Sequence, residues 1–240
     1  MKVAAFVVAE AARDARVVQS LIERVACEKH GENVTVDLVG PSTGHPPRFV
    51  VWRDLPKVMR QHKVKPWHGN FGGQPKAPDG GAAANALRVA REWLKQKGHD
   101  ADIVVLQRDM DKQPERAVGL AQARDERILE PAKVVLGVAT PKVEAWALCA
   151  AVIDPEDSEL QERFENVRAE LGSDPRAISH QLDASDETAK RSAKRVLEAL
   201  LGKDDPAYEP LCSTTPMKEL HERGKDNGLA MFLEDLAAAV

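Results

Sequence analysis

Glu10, Asp109 and Asp111 are the residues of this 240-residue chain whose types and spacing best suit chemistry. Asp109 and Asp111 stand one residue apart at the end of "DIVVLQRDMDKQ" (102–113), directly after the apolar run Ile103 to Leu106. Glu10 closes a second apolar run, "KVAAFVVA" (2–9). Clustered carboxylates raise one another's pKa unless a cation neutralises them. Hard oxygen donors with open positions suit Mg²⁺ or Mn²⁺, which keep several waters and bridge to phosphate. The chemistry expected of such a set is metal-assisted attack on a phosphodiester. A lone D-x-D is common as a solvated loop cap; the signal lies in pairing it with a glutamate at the end of another strand.

The elements that must position these residues alternate. The run 2–9 has the length of a buried strand. Val17, Val18, Leu21, Ile22 and Val25 then recur at helical spacing over 13–29. "NVTVDLV" (33–39) alternates and predicts a second strand. An irregular Gly/Pro-rich insertion fills 40–83, in which "WRDLPKVMRQH" predicts a short helix near Pro56. A helix over 84–97, ended by Gly98, leads to the strand 103–107, a helix over 114–128 and a fourth strand, "AKVVLGVA" (132–139). Strand–helix alternation of this kind predicts a four-stranded parallel sheet with helices on both faces. Ligands of such sheets bind beyond the carboxyl ends of the strands, where Glu10, Asp109 and Asp111 fall. Beyond residue 140 the pattern is wholly helical: 141–152, 156–171, 185–201, 216–223 and 228–238, punctuated by Gly and Pro. The expected division is an α/β domain over 1–140 and a helical extension over 141–240.

"FVVAEAARDARVVQSLIERV" followed by "IVVLQRDMDK" resembles the Toprim domain of topoisomerases, bacterial primases, OLD-type nucleases and small stand-alone nuclease-like proteins. Glu10 matches the family glutamate, and Asp109 and Asp111 match its D-x-D; Asp14 fits an acidic residue often found a few positions later. Ala11 replaces the usual glycine after the glutamate. The likeness covers about residues 1–140, and "TPKVEAWALCA" (140–150) with "KELHERGKDNGLAMFLEDL" (218–236) is similar to stand-alone bacterial members. The resemblance implies a Toprim-like (Rossmann-like) fold and a Mg²⁺- or Mn²⁺-dependent nuclease, a hydrolase of DNA or RNA associated with phage defence. It equally implies an alternative, a non-catalytic or partner-dependent regulatory subunit working with a separately encoded ATPase. Assembly as a homo-oligomer is left open.

Other residues admit two readings each. Glu144 follows "TP" at the start of a helix: a fourth metal carboxylate, or a charge favourable at a helix N-terminus. Arg13, Arg16 and Lys112 either contact phosphate or are surface cations. The basic stripe Lys190, Arg191, Lys194 and Arg195 either tracks phosphates or is solvated. The segment 63–82, with Trp67, His68, Phe71 and several lysines, is either a nucleic-acid loop or an ordinary insertion. Trp146 reads as core.

Composition narrows the classes. The net charge of −4 argues against a bulk electrostatic grip on nucleic acid. No apolar run approaches a membrane span, and no signal-peptide pattern opens the chain, so a cytoplasmic protein is expected. Cys27, Cys149 and Cys212 are widely spaced and read as reduced thiols. Without a Walker loop no nucleotide-driven motor is expected. The single tyrosine, Tyr208, in a Pro-rich stretch, and the lack of paired cysteines weigh against topoisomerase and primase activities.

Overall fold

The computed structural model describes residues 1–31, 33–41, 48–98, 100–130, 132–202 and 214–240. Tyr208 and Cys212 lie outside the described residues. The chain is α/β, built on a parallel sheet. It forms two compact units, one of Met1–Arg108, Gln113–Gly137 and Glu234–Val240, the other of Asp109–Lys112 and Val138–Leu233.

In the first unit β1 (Lys2–Ala9) is followed by α1 (Ala12–His30), β2 (Thr35–Leu38), β3 (Val50–Val51), α2 (Leu55–Gln61) and α3 (Gly80–Lys97). Then come β4 (Ile103–Asp109), α4 (Glu115–Asp125) and β5 (Lys133–Ala139), the last two residues of which belong to the second unit. The sheet order is β2-β1-β4-β5. β2 and β4 both pair parallel with β1, with Val8 of β1 opposite Leu106 of β4. The two-residue β3 is a fifth strand that the sequence pattern does not reveal, and it pairs with Val8 and Ala9. β1 and β4 are the central strands, which is why their apolar runs are continuous rather than alternating: Phe6, Val7, Val8, Val104, Val105 and Leu106 are all fully buried. Phe6 meets Trp93 of α3 with ring centroids 6.2 Å apart.

Elements within the irregular 40–83 region come from local chemistry. Pro56 sits in the first turn of α2, where its missing N–H costs no hydrogen bond. α3 begins at Gly80, four residues earlier than hydrophobic periodicity alone indicates, because small residues at 80–84 allow close packing. The aromatics of this region are used internally: Phe71 is buried and Trp67 stacks on it at 5.7 Å.

The second unit contains α5 (Val143–Cys149), α6 (Ser158–Leu171), α7 (Ala193–Leu201), α8 (Met217–Arg223) and the first part, up to Leu233, of α9 (Leu229–Ala239). The helix expected over 185–201 is shortened to 193–201. Asp186 accepts from the N–H and hydroxyl of Thr188, and Ser192 caps α7 by accepting from the N–H of Arg195, so the chain before it turns. Lys190 and Arg191 therefore lie off the helix, and no four-residue basic stripe forms along it. Trp146, as expected, is core: its ring stacks on Phe232 at 5.0 Å.

Asn227 ties this unit together. Its amide donates to the Ala145 carbonyl at 3.2 Å and to Cys149 Sγ and Ser179 Oγ at 3.0 Å. Its Oδ1 accepts from Leu229 N–H, and its own carbonyl accepts from Trp146 Nε1 at 2.9 Å. Next to it Gly228, at φ +86°, approaches the Val138 carbonyl too closely to carry a Cβ. Burial pushes the Cys149 thiol up, with the bonds to Ser179 and Asn227 acting in the opposite direction. Asn227→Ala would strand several buried partners at once. It is expected to cost about 2–4 kcal/mol, read as a lower urea midpoint at unchanged m.

Candidate functional site

The sequence candidates fall into two clusters, one in each unit. In the first, Glu10 follows β1 directly, and extending the register of Val8 with Leu106 sets it level with Arg108 of β4. Arg108 Nη1 donates to Glu10 Oε1 at 2.6 Å, and its Nε donates to Asp79 Oδ2 at 2.8 Å. Asp79 precedes α3 in the left-handed region at φ 62°, and Arg116 of α4 approaches the same carboxylate oxygen at 3.4 Å. The Arg108 guanidinium lies over the Trp52 ring, 5.4 Å from its centroid. Trp52 is fixed in turn by donating from Nε1 to the Gln107 carbonyl at 2.7 Å. Glu10 N–H donates to the buried Gln107 side chain at 3.2 Å. Arg13 and Arg16 are half-buried on the first turns of α1, and Asp14 accepts from the N–H of Ala11 at 3.0 Å, closing the helix start.

In the second unit the segment Asp109–Lys112 is fastened by its backbone. Met110 N–H donates to the Ala139 and Pro141 carbonyls, and Asp111 N–H to Pro141. Asp109 Oδ1 accepts from the N–H of Val143, the first residue of α5, at 3.1 Å. Asp111 and Lys112 are both exposed and both left-handed, with φ 44° and 63°. Two consecutive non-glycine residues in that region store strain, a feature concentrated at functional sites. Asp111 pairs with Lys142 at 3.5 Å and Lys112 with Asp183 at 3.3 Å. Asp111, Lys112, Lys142, Glu144, Ser185 and Lys194 line one small cleft of about 40 Å³. Glu144, in the first turn of α5, thus shares a cleft with the second aspartate of the D-x-D. On the cleft wall Lys194 donates to Glu187 at 2.6 Å, a bond that raises the lysine's pKa and lowers the glutamate's.

Among the described residues no three His, Cys, Asp or Glu side chains are grouped so as to hold a metal ion. The oxygen donors fit Mg²⁺ or Mn²⁺ in chemistry; in this arrangement Glu10 and Asp111 face Arg108 and Lys142 instead. No family model, no curated protein and no solved structure matches the chain. No described helix is long and apolar enough to cross a membrane.

Asp79, Trp52, Lys142 and the clamping role of Arg108 are not legible in the sequence. Asp79 lies thirty residues before the D-x-D in an irregular stretch. The one available signal was Arg108 itself, a charge set where an apolar central strand emerges.

Proposed function

We propose that the chain is a Toprim-type phosphodiester hydrolase, a Mg²⁺- or Mn²⁺-dependent nuclease acting on DNA or RNA. The observation that supports it best is strand order. β1 and β4 are adjacent and parallel, and the register sets Glu10 level with the residue before Asp109, so an acidic residue follows each central strand where a parallel sheet binds ligands. In this reading Glu10, Asp109 and Asp111 are the metal carboxylates, with Glu10 as ligand or general base. A bound divalent ion supplies polarisation of the phosphoryl oxygen and a water of lowered pKa. Glu144 orients the attacking water through its carboxylate, while Arg13, Arg16 and Lys112 offset phosphate charge.

One observation favours a second reading. Arg108 and Lys142 already neutralise Glu10 and Asp111, which suits a regulatory subunit whose site opens only with a partner such as a separate ATPase. The test is incubation of supercoiled plasmid, single-stranded DNA and structured RNA with the purified chain and Mn²⁺ or Mg²⁺. A Glu10→Gln/Asp109→Asn/Asp111→Asn variant runs in parallel. Cleavage by the wild type that is lost in the variant is the expected result and names the substrate. Equal behaviour of the two proteins removes autonomous hydrolysis and leaves the partner-dependent reading.

A further inference from the structure

We propose that Arg108 is a resident counter-ion of Glu10, a built-in competitor that a divalent cation must displace, with Asp79 as the acceptor that keeps hold of the guanidinium afterwards. The inference rests on the reading of Glu10 as a metal carboxylate. Three features of the cluster carry it. Arg108 uses different nitrogens for its two carboxylates, Nη1 for Glu10 and Nε for Asp79, so one bond can open while the other stays. The guanidinium is confined: its side chain is 16% exposed and lies over the Trp52 ring. Asp79 is itself pinned beside the start of α3, with Arg116 as a second cation on the same oxygen.

The charge balance gives the device its sign. Glu10, Asp79, Arg108 and Arg116 together carry two negative and two positive charges. A divalent ion on Glu10 would face Arg108 at contact range, so it binds only as Nη1 withdraws. An arginine does not lose its proton in any ordinary buffer, so alkaline pH cannot lift the block as it would for a lysine. The outcome is a site whose metal affinity is held down, and whose idle carboxylate stays paired rather than bare in a half-buried position.

Mn²⁺ binding to the full chain, read from the EPR signal of the free ion at fixed ionic strength, tests this without recourse to activity. Arg108→Gln is expected to tighten Mn²⁺ binding about tenfold while lowering the metal-free melting temperature, because it removes the guanidinium that bridges Glu10 and Asp79. A purely structural arginine would lower both. Asp79→Asn, which removes the second negative charge on Arg108 and so strengthens its hold on Glu10, is expected to weaken Mn²⁺ binding; it decides the matter if Arg108→Gln does not fold. Unchanged or weaker binding in Arg108→Gln, or unchanged binding in Asp79→Asn, overturns the proposal. If Glu10→Gln abolishes binding while Arg108→Gln matches the wild type, the metal reading stands and only the counter-ion role falls. If neither wild type nor Arg108→Gln binds Mn²⁺, both fall.

Discussion

Asp109→Asn and Asp109→Ala are expected to lose metal-dependent cleavage alike and to part company in stability. Either change removes a carboxylate charge from the proposed metal set. The metal ion such carboxylates would hold is worth several kcal/mol to a phosphoryl transition state, so a loss of at least about a hundredfold in rate follows. From the sequence alone, alanine at this position is expected to leave the fold intact or even relieve repulsion. The structure adds a cost for alanine, because Asp109 Oδ1 accepts the N–H of Val143, one of the donors that α5 cannot satisfy within itself. Asparagine keeps an acceptor there. Alanine does not, and should cost about 1–2 kcal/mol. Paired thermal melts without metal check this. Equal melting of the two variants would show that the Val143 bond contributes nothing, and full cleavage by Asp109→Asn would remove Asp109 from the chemistry.

Gly119→Ala is expected to be the most damaging single methyl group in the first unit. A Cβ on Gly119 of α4 would fall on the Pro78 carbonyl oxygen and come within 2.6 Å of the Gly80 nitrogen. Both obstacles are backbone, so no rotamer change relieves them, and α4 must move away from the start of α3. Overpacking usually costs 1–3 kcal/mol; a backbone collision belongs at or above the top of that range, about 3 kcal/mol or more. For a chain of this length that lowers the melting temperature by roughly 10 °C. Because Pro78 precedes Asp79 and Arg116 lies one turn before Gly119, the same shift should loosen the Arg108 clamp. A melting temperature within two or three degrees of wild type would show that the helices are not packed as closely as described.

Legibility followed the reach of the physical signal. β1 and β4 were plain because central parallel strands are buried on both faces and leave unbroken apolar runs. The stop of α3 at Gly98 was plain because a left-handed cap, here at φ 63°, selects glycine. β3 was not, since two residues, Val50 and Val51, make a strand only because Val8 and Ala9 lie beside them. The start of α7 was misplaced because the basic residues 190–191 continue a helical period, whereas the Ser192 side chain and the Asp186–Thr188 turn compete locally for the backbone.

The sequence by itself determined the α/β alternation and the placing of Glu10 and the D-x-D after two apolar strands, since burial and strand length are written in residue type. Only the tertiary structure decided that those strands are neighbours, that Arg108 bridges Glu10 and Asp79, and that Asp109 holds the start of α5. These are pairings between residues some thirty to a hundred positions apart. A charge read from sequence states what a residue can attract; which partner reaches it depends on strand register and helix packing, which local patterns do not encode.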